Sequence, residues 1–176
     1  MDTFVGVGDA YALAQIGRFL SRRGIDWRLL AANDMPPQDL RSGPAVLIGS
    51  FSDRWSLKWT GKVRFKFDNS SDLAIVDRSN PSRSWKLPHH AADWKTTDDY
   101  ALVSGFLSTE TGQPTIALAG ITNYGTQGAA DFITDPELLK KAFRLAPHDW
   151  RGKNFQFVLH VKVLGNTPTV VAAYFW

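Results

Sequence analysis

The spacing of apolar and polar residues along the chain predicts helices that alternate with buried strands. Apolar residues recur at helical spacing between Asp9 and Gly24, which predicts a first helix with Asp9 as its N-cap and Gly24 as its stop. The segments 44–48 and 115–119 are apolar without alternation, as expected for strands that are buried on both faces. The pattern therefore indicates a sheet that is covered by other elements.

The middle of the chain carries short strands separated by turn-rich stretches. These strands are predicted at 63–67, 73–76, 84–87 and 100–107. Strict alternation over 62–67 (KVRFKF) predicts a strand with one basic, solvated face and one buried, aromatic face. An alternative interpretation is a nucleic-acid surface, because residues 54–66 hold five cations and no acid. The alternation favours the strand, so no direct nucleic-acid binding is expected.

The second half of the chain is predicted to contain two helices and a closing hairpin. One helix is predicted around 127–133, and a second begins after Asp135, a good N-cap that is followed by Pro136. The hairpin joins strands at 155–163 and 169–174. Less regular segments complete the prediction: a short apolar run at 3–7, a strand at 26–30, a short helix or turn that opens at 36–40 and closes near Gly43, and a helical turn or more at 54–60.

Together these elements predict a single α/β domain over residues 1–176. Helices alternate with the two buried strands, while the short strands in the middle and the closing hairpin require antiparallel pairing. The predicted architecture is a three-layer, Rossmann-like sandwich with a mixed sheet, an inserted antiparallel meander and a C-terminal β-hairpin.

Composition agrees with a globular domain and excludes several classes of protein. Hydrophobic residues make up 44% and charged residues 21%, which argues against intrinsic disorder. There is no cysteine, so a disulfide scaffold, a cysteine-ligated zinc site and a thiol nucleophile are excluded. No apolar run approaches the roughly 18 residues that cross a bilayer, and no signal peptide is visible. We therefore expect no membrane span and a cytoplasmic location.

Two loops at strand ends form the candidate binding site. In open α/β sheets, ligands bind beyond the carboxyl ends of the strands, where the loops 49–53 and 120–128 are predicted to lie. The second loop is rich in glycine and precedes a helix N-terminus, which favours an anion. The candidate ligand-binding residues are Gly49, Ser50, Ser52, Asp53, Arg54, Gly120, Thr122, Asn123, Tyr124, Gly125 and Thr126. A bulky residue at position 125 is predicted to abolish binding and leave the protein folded.

The turn at 5–9 (VGVGD) is a candidate third wall of this site. No Gly-Lys-Ser/Thr follows a glycine loop, and the glycine spacing differs from the dinucleotide fingerprint, so neither motif identifies a cofactor. An alternative interpretation is that these glycines serve only strand-to-helix turns.

The sequence predicts no catalytic residue and no metal ligand. His89 and His90 are adjacent in a turn-rich stretch, and adjacent side chains rarely converge on one ion. His160 lies in a predicted hairpin strand and is interpreted as a residue of the sheet. Asp9 and Asp53 are the carboxylates that a hydrolase would use, but the sequence offers no partner base for either of them.

Several motifs of the chain resemble those of an uncharacterised domain found in acidobacterial proteins. In those proteins the domain follows a winged-helix DNA-binding region. These motifs are FVGVGDA (4–10), PAVLIG (44–49), DYALVS (99–104), AGITNYGTQ (119–127), WRGKNFQ (150–156) and YFW (174–176). The resemblance implies a regulatory or interaction role, and it implies a winged-helix partner domain in a longer parent chain. It carries no activity that can be assigned residue by residue.

The leading hypothesis is a non-enzymatic regulatory or sensory domain that binds a small, anionic, nucleotide-like ligand at the glycine loops. The first alternative is a hydrolase that acts on nucleotides or phosphoesters, because enzymes are common on this class of fold. The second is a protein–protein interaction or self-assembly module, since seven Trp and 11 Phe are ample for an aromatic interface.

Overall fold

The computed structural model describes residues 5–31, 38–49, 63–68, 73–87, 96–165 and 167–176. Three α-helices lie in these ranges: α1 (Val7–Ser21), α2 (Asn123–Thr134) and α3 (Pro136–Phe143). The β-strands are β1 (Ala45–Ile48), β2 (Phe65–Asp68), β3 (Ala74–Asp77), β4 (Ser84–Lys86), β5 (Asp98–Leu107), β6 (Pro114–Gly120), β7 (Phe155–Lys162) and β8 (Thr167–Phe175). A short 3-10 helix, Asp39–Arg41, precedes β1.

The strands form two sheets. The larger sheet has the order β1-β6-β5-β7-β8, in which β1 and β6 are parallel and the remaining pairs are antiparallel. The smaller sheet is an antiparallel meander with the order β2-β3-β4. The carboxyl ends of β1 and β6 consequently lie at one edge of the larger sheet, together with the beginning of β5.

The larger sheet lies between the helices and the smaller sheet. One face packs against all three helices in a core that includes Ala12 and Ile16 of α1, Phe132 of α2 and Phe157 of β7. The opposite face packs against the meander, where Phe65 and other side chains of the smaller sheet meet those of β5, β7 and β8. The described apolar residues thus form two main cores, one on each side of a single sheet, and a third, smaller cluster of Leu40, Leu47 and Ala117.

The coarse fold prediction is confirmed, because the domain is mixed α/β and its main sheet is mixed. The closing hairpin is confirmed as β7–β8, and the meander as β2–β4. The meander forms a separate sheet that covers one face instead of joining the main sheet edge to edge. A Rossmann-like sandwich has helices on both faces, whereas the α-helices of the described ranges all pack on one face. The Rossmann-like arrangement is therefore not confirmed.

Two of the predicted helices begin earlier than the sequence indicated. The N-cap of α1 is Gly6, in extended conformation, so Asp9 lies in the first helical turn and is not the cap. Helix α2 begins at Asn123, with the Thr122 hydroxyl as its cap, so most of the predicted 120–128 loop is helical. The cap predicted for the following helix is confirmed, because Asp135 accepts hydrogen bonds from the N–H groups of Glu137 and Leu138.

The strand predicted at 26–30 is wrong, since these described residues form no regular secondary structure and pair with no strand. Trp27 turns back onto α1, where its ring lies against Gly17 and its Nε1 donates to the Ser21 hydroxyl at 3.0 Å. This side-chain contact fixes the segment against the helix instead of the sheet. The predicted helical turn at 54–60, residues 3 and 4 of the apolar run at 3–7 and the pair His89–His90 lie outside the described residues, while Val7 of that run begins α1.

A buried glutamine joins the two sheets. Gln156 of β7 is fully buried, and its amide makes a paired contact with the backbone of Phe65 in β2. Its Oε1 accepts from the Phe65 N–H at 2.9 Å, while its Nε2 donates to the Phe65 carbonyl at 2.9 Å and to the Ser104 hydroxyl at 3.0 Å. The side chain thereby reproduces the two hydrogen bonds that a neighbouring strand would make.

A buried ion pair fixes the edge of the smaller sheet. The guanidinium of Arg64 donates to both carboxylate oxygens of Asp77, at 2.9 and 2.8 Å, and lies 4.8 Å from the ring centre of Tyr174 in β8. The hydrogen bonds from Arg64 hold the pKa of the buried Asp77 carboxyl well below its usual range. This bidentate geometry is the strong form of the arginine–carboxylate interaction.

Strand β8 contains a bulge beside its partner strand. Ala172 lies opposite Val158, whereas Val170 lies opposite the next residue, Leu159, so Val171 is an extra residue in β8. Pro168 also lies in this strand, opposite Val161, and brings no N–H group to it. Both features interrupt the regular pairing along the last strand of the sheet.

A cluster of polar side chains joins the beginning of β5 to the end of β7. Asp98 Oδ1 contacts the Lys162 ammonium and lies 2.6 Å from His160 Nε2, while its Oδ2 accepts from the Thr97 hydroxyl at 2.8 Å. The His160 ring stacks on Tyr100 with 5.1 Å between the ring centres. The interpretation of His160 as a residue of the sheet is confirmed.

Lowering the pH is expected to destabilise the protein through this cluster. Hydrogen bonds from Lys162, Thr97 and His160 lower the pKa of Asp98 from 3.8 to about 2. Because the folded-state pKa is depressed, the stabilisation is fully present above pH 3.8 and is lost as the pH falls through about 2. Urea denaturation across this window should show a shallower pH dependence for Asp98→Asn than for the wild type, and equal slopes would contradict the assignment.

No helix in the part of the chain that the structure describes is long and apolar enough to cross a membrane.

Candidate functional site

An open cleft of about 290 Å³ lies at the edge of the larger sheet where β1 and β6 end. Three separate segments surround it: the beginning of α1, the end of β1, and the turn from β6 into α2. The residues that line it are Gly6, Gly8, Asp9, Gly49, Ala119, Gly120, Ile121, Thr122, Asn123 and Thr126. This edge is where parallel strands of open α/β sheets bind ligands.

The first wall is the N-terminus of α1, which packs closely against the N-terminus of α2. A Cβ atom at Gly8 would lie 2.5 Å from the carbonyl oxygen of Asn123, so only glycine allows the two helices to approach this closely. Gly6 is exposed, and its Cβ would meet the carboxyl group of Asp9, at 3.2 Å from Oδ2. Both helix N-termini therefore open onto the same cleft.

The second wall is the end of β1. Gly49 adopts a φ of +89°, a left-handed conformation that favours glycine, as the chain leaves the strand. Its N–H donates to the carbonyl of Leu118 in β6 at 3.0 Å, which extends the parallel pairing to the cleft. The remainder of the predicted 49–53 loop lies outside the described residues.

The third wall is the tight turn from β6 into α2. A Cβ atom at Gly120 would lie 2.3 Å from the Thr126 N and 2.4 Å from the Gly125 Cα. The Gly120 N–H donates to the Thr126 hydroxyl at 3.0 Å, which ties the strand to the first turn of the helix. Strand and helix are therefore in direct backbone contact at the base of the cleft.

A fully buried carboxylate lies beneath this turn. Asp99 of β5 accepts hydrogen bonds from the N–H groups of Gly125 (2.6 Å), Thr122 (3.1 Å) and Tyr100 (2.7 Å), and from the Thr122 hydroxyl. Burial raises the pKa of Asp99, and its four hydrogen bonds act in the opposite direction. Three of these donors are backbone N–H groups that can only donate, so the arrangement suits the ionised carboxylate. The N-terminus of α2 is thus already occupied by an anion that belongs to the chain.

Asp9 is the carboxylate in the cleft itself. It is partly buried in the first turn of α1, and burial raises its pKa. No hydrogen bond or ion pair joins its side chain to any other described residue. Asp9 therefore differs from Asp99, whose oxygens are both engaged by the fold.

The structure brings together some of the predicted site residues and separates others. Gly49, Gly120, Thr122, Asn123 and Thr126 line the cleft, together with the predicted third wall at Gly6, Gly8 and Asp9. Tyr124 and Gly125 do not line it, although both belong to the same turn. Ser50, Ser52, Asp53 and Arg54 lie outside the described residues.

The prediction that a bulky residue at position 125 would leave the protein folded is wrong. A Cβ atom at Gly125 would lie 2.7 Å from both the Gly120 Cα and the Tyr100 carbonyl oxygen, and 3.0 Å from Asp99 Oδ2. Two of these neighbours are backbone atoms, which cannot move aside without displacing β5 or β6. A substitution at this position tests the fold and not the binding of a ligand.

The residue that sequence reasoning missed is Asp99. Its role depends on the antiparallel pairing of β5 with β6, in which Ala101 lies opposite Gly120 and places Asp99 beneath the turn. An aspartate at the beginning of a strand is a weak signal, because aspartate is also common in the loops that precede strands. No group of three or more metal-ligating residues occurs among the described residues.

No family model, curated protein or solved structure matches the chain. The resemblance to the acidobacterial domain therefore stays a prediction.

Proposed function

We propose that this chain is a regulatory domain that binds a small, nucleotide-like ligand in the cleft between α1, β1 and α2. The observation that carries the proposal is the convergence of three distant segments, each with a glycine, on one cleft at the carboxyl edge of parallel strands. Close backbone packing explains Gly8 and Gly120, and the N-cap position of α1 suits Gly6. Neither explains why the partly buried Asp9 lies in the cleft without a partner among the described residues.

The side chains that line the cleft favour binding of a ligand without turnover over hydrolysis. Acid–base catalysis on a phosphoester needs a second ionisable group or a metal near the first. Asp9 is the single ionisable side chain among the described residues that line the cleft. The other nearby carboxylate, Asp99, is committed to four hydrogen bonds within the fold.

A ligand screen with a matched pair of variants tests the proposal. Wild-type protein is screened by thermal unfolding against nucleosides, nucleotides and sugar phosphates. A ligand at about 100 times its Kd stabilises the folded state by about 2.7 kcal/mol, which raises the Tm by several degrees. Each stabilising compound is then incubated with the protein and analysed for chemical change, because turnover would favour the hydrolase alternative.

Gly6→Leu is expected to abolish the ligand-induced rise in Tm. Gly6 has a φ of −62° and a ψ of 146°, which any residue adopts, so leucine can extend toward the cleft without backbone strain. The matched control is Gly43→Leu, since Gly43 has open space around its Cβ position and does not line the cleft. Equal loss of the effect in both variants, or retention of it in Gly6→Leu, would contradict a site in this cleft.

A further inference from the structure

We infer that the cleft recognises the hydroxyl groups of a sugar ring through Asp9, and that the phosphate of a nucleotide-like ligand lies outside it. This inference rests on the proposed function and concerns which part of the ligand enters the cleft. Three observations carry it: the charges at the two helix N-termini, the free hydrogen-bonding capacity of the Asp9 carboxylate among the described residues, and the size of the cleft.

The charges at the cleft argue against a phosphate inside it. A helix N-terminus carries about half a positive elementary charge, and this is what attracts a phosphate. Here each N-terminus already has a carboxylate beside it, Asp99 at α2 and Asp9 at α1. When both carboxylates are ionised, their charge exceeds that of the two helix N-termini, and no basic side chain occurs among the described residues that line the cleft.

The hydrogen-bonding groups argue for a ligand that brings donors. Asp9 has two acceptor oxygens, and no described residue donates to them. The N–H groups of Thr122 and Gly125, which would otherwise donate to an acidic ligand, already donate to Asp99. A carboxylate at the end of such a sheet is well suited to the hydroxyls of a ribose, which donate two adjacent hydrogen bonds.

The size of the cleft agrees with a single ring. Its volume of about 290 Å³ lies at the lower end of the range of roughly 300–1,000 Å³ that is usual for ligand sites. One sugar ring fits such a volume, whereas a whole dinucleotide does not. The exposed Asn123 lines the cleft as well and offers its amide to the same ring, whereas the Thr122 hydroxyl is engaged by Asp99 and Tyr124.

Titrations followed by NMR test the inference with three simple probes: ribose, inorganic phosphate and ribose 5-phosphate. The reporters are the backbone amide signals of Gly6, Gly8, Gly49 and Gly120 in the 176-residue chain. Ribose and ribose 5-phosphate are expected to shift these signals in the millimolar range, and phosphate alone is not. Gly6→Leu should remove the shifts that ribose causes.

Asp9→Asn is expected to weaken ribose binding about tenfold, because the amide keeps one acceptor oxygen but loses the second acceptor and the charge that strengthens a hydrogen bond. The matched control is Asp26→Asn, which removes an exposed carboxylate outside the cleft and should leave the affinity unchanged. Unchanged ribose affinity in Asp9→Asn would overturn the inference. The Tm of each variant is measured to verify that it is folded.

The remaining outcomes separate this inference from the proposed function. If phosphate shifts the glycine signals and ribose does not, the cleft still binds a ligand and the inference is overturned. If none of the probes shifts these signals, the inference is overturned, and the thermal screen against nucleosides and nucleotides decides the proposed function separately.

Discussion

Gly120→Ala is expected to lower the free energy of unfolding by about 3–5 kcal/mol, enough to unfold much of a marginally stable domain. The added Cβ would lie 2.3 Å from the Thr126 N and 2.4 Å from the Gly125 Cα. Both are backbone atoms, so relief requires α2 to move away from β6. That movement would also disrupt the hydrogen bonds that Asp99 makes with the first turn of α2.

The measurement is urea denaturation, with Gly43→Ala as the matched control. Gly43 has open space around its Cβ position, so the same substitution should change the free energy of unfolding by no more than about 0.5 kcal/mol. A stable Gly120→Ala variant would show that strand and helix are not in backbone contact. The base of the cleft would then have to be described differently.

Gln156→Leu is expected to lower the free energy of unfolding by about 2–4 kcal/mol, although leucine has nearly the same size as glutamine. The substitution removes three hydrogen bonds and leaves the N–H and carbonyl of Phe65 without partners in a buried interface. An unsatisfied buried polar group costs about 1–3 kcal/mol, and here two backbone groups are affected. The loss of stability should be accompanied by loosening of the smaller sheet.

Equilibrium unfolding measures the stability, and hydrogen exchange at the Phe65 amide reports the loosening directly. Ser104→Ala is the comparison variant, because it removes only the third hydrogen bond of Gln156 and should cost about 1 kcal/mol. If Gln156→Leu proves as stable as Ser104→Ala, the amide does not join the sheets. The contact between the apolar faces would then be sufficient to hold them together.

The sequence predicted most of the elements, because their signals are local. Alternation over 62–67 identified β2, and the pair Asp135–Pro136 identified the beginning of α3. The beginning of α2 was misplaced because its cap, Thr122, follows β6 after a single residue. A strand that passes so directly into a helix leaves no loop, and glycine-rich sequence there suggested one.

The arrangement of the elements could not be predicted, because it depends on contacts between distant residues. Gln156 looks like any polar residue within a strand, and only the position of Phe65, 91 residues away, shows why it is buried. The same is true of the candidate site. Its three walls were each recognised from glycines in the sequence, but the buried Asp99 beneath them depends on strand pairing.

The bulge at Val171 and the proline at 168 bear on how the domain behaves in a crowded solution. A long terminal strand is a template on which a second chain can add, and such addition can continue from molecule to molecule. An incoming strand needs a regular row of donors and acceptors, and β8 breaks that row at two points along its nine residues. Strand β8 therefore also hinders the addition of further chains that would lead to fibres.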